Sequence, residues 1–378
     1  MKILQVLTLL SQNGEFGGPS TVAVNQCRAL AERGHEVTLI AGSLPADTDA
    51  RVPGVEVRTF RVRTLGPAPS FSRICSPSML RWIRAHADRF DVAHVHLSRD
   101  FVTMPAARLL LHLHIPTHVQ THGMINPRQS LHYRIIDRSL TIPAVTRAAT
   151  AFYLNEVELT KLHKAVGSAR YSPLINGVPA PETKDTEAAH SEPRSVEVLF
   201  LARLHHRKRP TVFAEAAARL APLYDNAQFT LIGPDEGEGK AVDEILRRTR
   251  AAHPEAALRM RRSEPLPTSA VPARLARAAI YVLPSVNEPL PMSVLEAMAA
   301  GLPVVVTRTC GFADLVDEVD AGIVVDDSVD SLVAAIAELL DDPLGAKVRG
   351  QRGQRAVMDH WSIASVAQEL EKHYVTST

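Results

Sequence analysis

KILQVLTL (residues 2–9), STVAVNQCRALAERG (20–34) and HEVTLIAG (35–42) follow one another near the start of the chain, and their reading decides the fold. The outer two are apolar runs rich in β-branched residues, which suits strands covered on both faces. In the middle piece Val22, Ala23, Cys27, Leu30 and Ala31 line one helical face, and Gly34 stops it. Strand, helix, strand is the βαβ unit, and it implies a parallel sheet covered by helices. The alternation continues through VEVRTFRV (55–62), DVAHVHL (91–97), THVQTHG (117–123), ATAFYLN (149–155) and RYSPLING (170–177). It pauses over residues 177–195, a polar, proline-bearing stretch without periodicity, and restarts with VEVLFLARL, AQFTLIGP, AALRMRRS, AIYVLPS, PVVVTRT and AGIVVDD. The expected fold class is α/β, with two doubly wound Rossmann-like domains facing across a crevice. The N-terminal domain is placed at 1–180, a linker at 181–195 and the C-terminal domain at 196–360.

The totals exclude several classes. With 378 residues, 46% hydrophobic, the chain is long enough for two cores. Its 42 basic and 41 acidic side chains leave a net charge of +1, so bulk nucleic-acid binding has no electrostatic support. Cys27, Cys75 and Cys310 show neither disulfide nor zinc-cluster spacing, which fits a reducing cytosol. The start MKILQVLTLL lacks the longer apolar core of a signal peptide and reads as a buried first strand. No apolar run approaches the roughly 18 residues that a membrane span needs.

HLHIPTHVQTHG (112–123) packs four histidines into twelve residues and raises the question of a metal. Pro116 disfavours helix for Ile115, and THVQTH is β-branched and alternating, so 117–122 reads as a strand. His118 and His122 then lie about 13 Å apart and cannot share a metal. His112 and His114 are placed two apart on the preceding helix, facing different directions. His94 and His96 share a strand face, but no carboxylate is placed to complete a third ligand. No metal site is expected. His122 ends its strand, where parallel sheets present functional residues.

The densest chemical signal is PSVNEPLPMSVLEAMAAGLPVVVT (284–307). A strand end delivers Glu288 into a loop, and Pro289 and Pro291 allow a helix to start near 291. The first-turn amides of Met292, Ser293 and Val294 have no intrahelical acceptors, which suits a phosphate. Glu296, one turn further in, offers two acceptor oxygens to vicinal hydroxyls such as those of a ribose. In FLARLHHRKRP (200–210) a strand end delivers Arg203, and Lys208 follows, two cations able to neutralise a diphosphate. In NGEFGGPST (13–21), Gly17 and Gly18 would let the backbone approach a ligand closely. Taken alone, each has a bland alternative: a solvated helix face, a solvated basic loop, or a turn.

Together and in this order, the motifs resemble family 4 of the retaining GT-B glycosyltransferases. They run from Gly17-Gly18 before ALAERGHEVTLIAG, through DVAHVH, THGM, LINGV, ARL with Lys208 and LIGPDEG, to the Glu-x7-Glu pair Glu288 and Glu296. The resemblance implies an N-terminal domain mainly for the acceptor and a C-terminal one mainly for a UDP-sugar or GDP-sugar donor, with no further cofactor. It implies that Arg203 and Lys208 hold the diphosphate, Glu296 binds the ribose and Glu288 contacts the transferred sugar. The stretch after Glu288 (Leu290, Met292, Ser293) would face sugar and phosphate. His122 would stand near the reacting sugar, Gly18 would give its amide to the phosphate, and Gly233 would lie near the nucleotide. Many members carry Gly where this chain has Pro291 and Ala202, and Pro291 removes one potential donor. The last helix, SIASVAQELEKHYV (362–375), is expected to pack back on the N-terminal domain.

The implied reaction is transfer of a hexosyl group, with retention and without a metal, to a saccharide, lipid-linked or small-molecule acceptor in cell-surface glycan or glycoconjugate biosynthesis. A nucleotide-sugar epimerase of the same architecture and a non-catalytic nucleotide-sugar-binding protein are the alternatives. Mixed basic and apolar residues in SMLRWIRAHADRF (78–90) and SLHYRIIDRSL (130–140) add an expectation of peripheral membrane contact at the inner face of a cytoplasmic membrane.

Overall fold

The computed structural model describes residues 1–10, 18–44, 51–65, 71–127, 130–180, 196–267, 270–288 and 290–377. Gly17, Pro289 and the stretch 181–195 lie outside the described residues. The chain divides into two compact units, Met1–Gly177 with Ile363–Thr378, and Val178–Ser362.

In the first unit the strands are β1 (Lys2–Leu9), β2 (Glu36–Ser43), β3 (Glu56–Arg61), β4 (Arg63–Thr64), β5 (Ile74–Cys75), β6 (Val92–His96), β7 (Thr117–Gln120), β8 (Thr150–Tyr153) and β9 (Tyr171–Pro173). β4 and β5 form a small antiparallel pair. The others make a parallel sheet in the order β3-β2-β1-β6-β7-β8-β9. The chain builds outward from β1 in one direction and then in the other, so the topological switch falls between β1 and β6. One face is covered by helices that include Pro77–His86 and Thr103–His112. The other carries Gly18–Glu32 and the last helix, Ile363–Val375, whose Val366, Ala367, Leu370 and Tyr374 pack with Ala23, Cys27 and Leu30. Gly177 makes that approach possible, because a Cβ there would stand 2.7 Å from the Ile363 backbone. Glu371 fastens the helix outside the apolar contact. It takes hydrogen bonds from Arg33 Nε (2.8 Å) and the His35 ring (2.6 Å), and Arg33 above all holds its carboxyl down at about 2.

The second unit holds β10 (Val196–Leu201), β11 (Ala227–Ile232), β12 (Met260–Ser263), β13 (Ile280–Leu283), β14 (Val304–Thr307) and β15 (Gly322–Val325). Their order is β12-β11-β10-β13-β14-β15, parallel throughout, with the switch between β10 and β13. Its apolar residues join into one core running from Val178 to Val357.

Three local readings need correction. The strand THVQTHG stops at Gln120, and His122 lies in the following turn with φ +50°. The Gly123 amide donates to the buried carboxylate of Glu158 instead of to a neighbouring strand, and the Thr121 hydroxyl donates to the same oxygen. His114 is not on the helix with His112. The helix ends at His112, and His114 follows in the left-handed region at φ +59°. The amide of Val294 is not free for a ligand, because it donates to Pro291 O at 2.9 Å, closing the first turn of the helix Met292–Ala299.

Candidate functional site

At the carboxyl ends of β10 and β13, on either side of the switch, the second unit gathers its polar residues. The chain leaves β10 through Ala202 and Arg203 and turns through 204–209 into the helix Pro210–Leu220. It leaves β13 through Ser285, Val286 and Asn287 to Glu288. The loops are tied together: Val286 N–H donates to Arg207 O at 2.8 Å, and the Arg207 guanidinium donates to Asn287 O. Asn287 is left-handed, φ +51°, so the chain bends sharply just before Glu288. The Glu288 carbonyl is held in turn by the Gly311 amide at 2.8 Å.

This scaffold puts Lys208 Nζ 2.7 Å from Glu288 Oε2, with the side chains only 12% and 18% exposed. A shielded pair attracts far more strongly than one in open solvent. Arg203 is not part of that pair. Its Nη1 reaches both oxygens of Glu236, at 3.0 and 2.9 Å, from an exposed position. Met292 and Ser293 open the helix Met292–Ala299, with Leu290 just before it. The Ser293 hydroxyl is 2.8 Å from Tyr281 OH, and Tyr281 OH also reaches Leu201 O at 3.1 Å, so one buried phenol ties this helix to both central strands. Burial alone raises the Glu296 carboxyl above its ordinary range. A desolvated carboxylate with no cation contributing to its shift is a candidate binding position. Gly233 has a packing reason of its own: a Cβ there would sit 1.9 Å from Ala202 O.

In the first unit, Gly18 opens the helix Gly18–Glu32 just beyond β1, and a Cβ built on it meets nothing within 4 Å. His122 follows β7. Its ring lies nearly parallel to that of His96 and edge to edge with it, centroids 5.1 Å apart, with its Nε2 2.8 Å from His96 Nδ1. His96 Nε2 continues to Gln5 Oε1 at 2.8 Å. Behind it, His94 Nδ1 is 2.7 Å from Tyr374 OH, and His118 Nε2 is 2.9 Å from Ser377 Oγ. Each of these rings thus makes at least one hydrogen bond within the protein, while His94 Nε2, His118 Nδ1 and His122 Nδ1 are buried without a partner. Among the described residues no three of His, Cys, Asp and Glu are grouped to hold a metal.

Sequence reading missed several supports of these groups: Tyr281, Glu236, Arg207, and in the first unit His96, Gln5 and Glu158. Glu236 and Arg207 stood inside quoted motifs, but nothing in spacing distinguishes a tethering residue from a solvated one. Tyr281 and Gln5 look like ordinary strand residues.

Arrangement and strand order define the class first: an α/β protein of GT-B type, with two Rossmann-like domains. Two family models then match in tandem, Glycosyltransferase Family 4 over residues 16–165 and Glycosyl transferases group 1 over 182–356. The chain belongs to this glycosyltransferase family and is a glycosyl-transferring enzyme. It is 26% identical to a D-inositol 3-phosphate glycosyltransferase of Acidothermus cellulolyticus, over 92% of this chain and 83% of that one. It is likewise 26% identical to a glycogen synthase of Mycobacterium tuberculosis, over 92% and 88%. The Anabaena protein HepE, solved with UDP-glucose, shares the fold at a TM-score of 0.68 and 17% identity, with both chains covered in full.

Proposed function

We propose that this protein is a retaining, metal-independent glycosyltransferase that moves a hexosyl group from a nucleotide-diphosphate sugar to a saccharide, lipid-linked or small-molecule acceptor. Its place would be glycan or glycoconjugate biosynthesis on the cytoplasmic side. The observation that carries the reading is the shielded Lys208–Glu288 pair at the switch between β10 and β13, followed by a helix that bears Glu296. HepE supports a UDP-sugar as donor, with a GDP-sugar as the second choice.

In this reading the donor diphosphate draws Lys208 from Glu288 and Arg203 from Glu236. The Arg203–Glu236 pair is exposed and weak, so exchanging it costs little. The two cations and the helix-end amides of Met292 and Ser293 stabilise charge on the leaving diphosphate. Glu288, released from Lys208, orients the transferred sugar, Leu290 lines its path, and Glu296 accepts from the ribose hydroxyls. Gly17 and Gly18 serve the phosphate through their backbone, Gly233 the nucleotide, and His122 the reacting sugar. The leaving phosphate takes the acceptor's proton in a same-face attack.

A panel of nucleotide sugars, each with and without candidate acceptors and read by mass spectrometry, tests this. An acceptor-dependent glycoside with the anomeric configuration of the donor, formed equally in EDTA, is expected. An acceptor-free epimer, or binding without product, would replace the reading. Loss in EDTA with rescue by magnesium or manganese would remove metal independence. Peripheral membrane contact is a further part of the proposal, supported by Ile135, 60% exposed on a helix with Arg134. No described helix is long and apolar enough to cross a membrane. Failure to sediment with anionic vesicles at low salt would count against the contact.

A further inference from the structure

Glu158 is a buried carboxylate, 4% exposed, in the first turn of the helix Glu156–Val166. Its own helix does not need it as a cap, because Asn155 fills that role by accepting the Glu158 N–H at 2.9 Å. Glu158 instead reaches out of its helix to two strand ends. Oε1 accepts from the Thr121 hydroxyl and the Gly123 amide, both at 2.5 Å, and Oε2 accepts from the Leu154 amide at 2.7 Å. Thr121 and Gly123 are the two neighbours of His122 in the chain. The carboxylate thus grips the turn on either side of His122 and anchors it to the end of β8.

The grip has a conformational purpose. His122 sits at φ +50°, a left-handed conformation that crowds the Cβ of any residue but glycine. Two charge-assisted hydrogen bonds to its neighbours are enough to offset that. A neutral side chain of the same shape could not hold the turn as well. It has only one carbonyl oxygen, and Gly123 and Leu154 both present N–H groups. The ring is fixed from the other side by the 2.8 Å contact between its Nε2 and His96 Nδ1.

We infer that Glu158 is a positioning residue for glycosyl transfer: it sets the backbone and ring of His122 through Thr121 and Gly123 without itself touching substrate. This rests on the reading that His122 serves the transfer. Glu158→Gln is therefore expected to lower kcat about 10-fold while leaving the donor KM and the affinity for free nucleotide diphosphate within about 2-fold. Thr121→Val removes one of the three donors and should lower kcat by a smaller factor in the same direction. In ¹⁵N spectra of the histidine rings, Glu158→Gln should perturb the His122 and His96 signals and leave His163 unchanged.

Three results would overturn the inference. One is a wild-type kcat in Glu158→Gln, in a protein whose Lys208→Ala variant has lost transfer. Another is a parallel fall of nucleotide affinity and melting temperature in both variants, which would mean a general structural role. The third is an unaltered His122 ring spectrum in Glu158→Gln, which needs no activity at all and so decides the point even for a protein that transfers nothing. Failure of the transfer reading itself shows separately, as absence of product from the wild type with every donor.

Discussion

In the first unit the strands flanking the switch, with their neighbour β7, bury Gln5, His94, His96, His118 and Gln120. In the second, β10 and β13 fill the equivalent places with Val198, Leu199, Phe200, Tyr281, Val282 and Leu283. Of the buried polar side chains among the described residues, 22 lie in the first unit and 6 in the second. The same doubly wound order therefore supports two kinds of interior. The second unit has a continuous apolar core, with shielded ion pairs at its margins: Lys208 with Glu288 at the carboxyl ends of the strands and Arg274 with Glu197 at the amino end of β10. The first is split into two apolar clusters, one against each face of its sheet, with a layer of histidines and amides on the face toward the last helix. Stability in the second should depend on packing and be indifferent to pH near neutrality. In the first it should depend on histidines that must stay neutral.

Acidification should break this symmetry most strongly. Burial pushes His94 and His96 well below 6.5, His118 to about 4 and His122 to about 3. Because the folded values are depressed, the unfolded chain binds the protons first. The contribution is fully present above about pH 6.5 and is lost as pH falls toward 4, by up to about 1.4 kcal/mol per pH unit for each histidine. The chain's two tryptophans, Trp82 and Trp361, lie one in each unit and can report on them separately. Urea unfolding at pH 7 and pH 5 of single-tryptophan variants should show the Trp82 midpoint falling far more than the Trp361 midpoint. Equal shifts would mean that the histidine layer does not govern the difference.

Next in size are the cations of the second unit. If Lys208 and Arg203 act as proposed on charge that develops on the leaving group, Lys208→Ala and Arg203→Ala should each lower the transfer rate about 10²-fold or more. Glu296→Ala should act mainly on donor KM, since ribose contacts change little on the way to the transition state. Near-normal transfer in all three folded variants would detach the chemistry from this unit. Smaller again is Tyr374→Phe, which deprives His94 of its 2.7 Å partner and Gln5 of a longer one. A loss of about 1–3 kcal/mol in the first unit is expected, read by the Trp82 transition. The least effect belongs to Glu371→Gln. The Arg33 partner is 39% exposed, so solvent screening keeps the loss at or below about 1 kcal/mol. Since Glu371 is held at about 2, its contribution is present above its unfolded value near 4.5 and fades as pH falls toward 2. A larger loss near neutral pH would show that this clamp, not the apolar face, docks the helix.

Much of the fold was legible because its signals are local. Apolar runs such as VEVLFL and AQFTLI and the helical face of Val22, Cys27 and Leu30 depend on neighbours a few residues away, and each appears where the pattern placed it. Glu288 and Lys208 were legible as candidates because strand ends deliver loop residues. The turn at His122 differs from the strand that the alternation of THVQTH predicts because Glu158, 36 residues later, takes the Gly123 amide and holds the chain in a turn. Arg203 and Lys208 looked like one basic pair until the structure gave each its own carboxylate, Glu236 and Glu288.

The sequence by itself determined the βαβ grammar, its restart after the polar stretch, and the residue types available at the strand ends, since periodicity and turn chemistry act over short range. Only the tertiary structure decided which of those residues meet. That the histidines hydrogen-bond Tyr374, Gln5 and Ser377, that Lys208 faces Glu288, and that Glu158 grips the His122 turn all depend on contacts between segments distant in the chain. Such contacts follow from how strands order themselves in a sheet and which helix covers which face, and no local spacing encodes them.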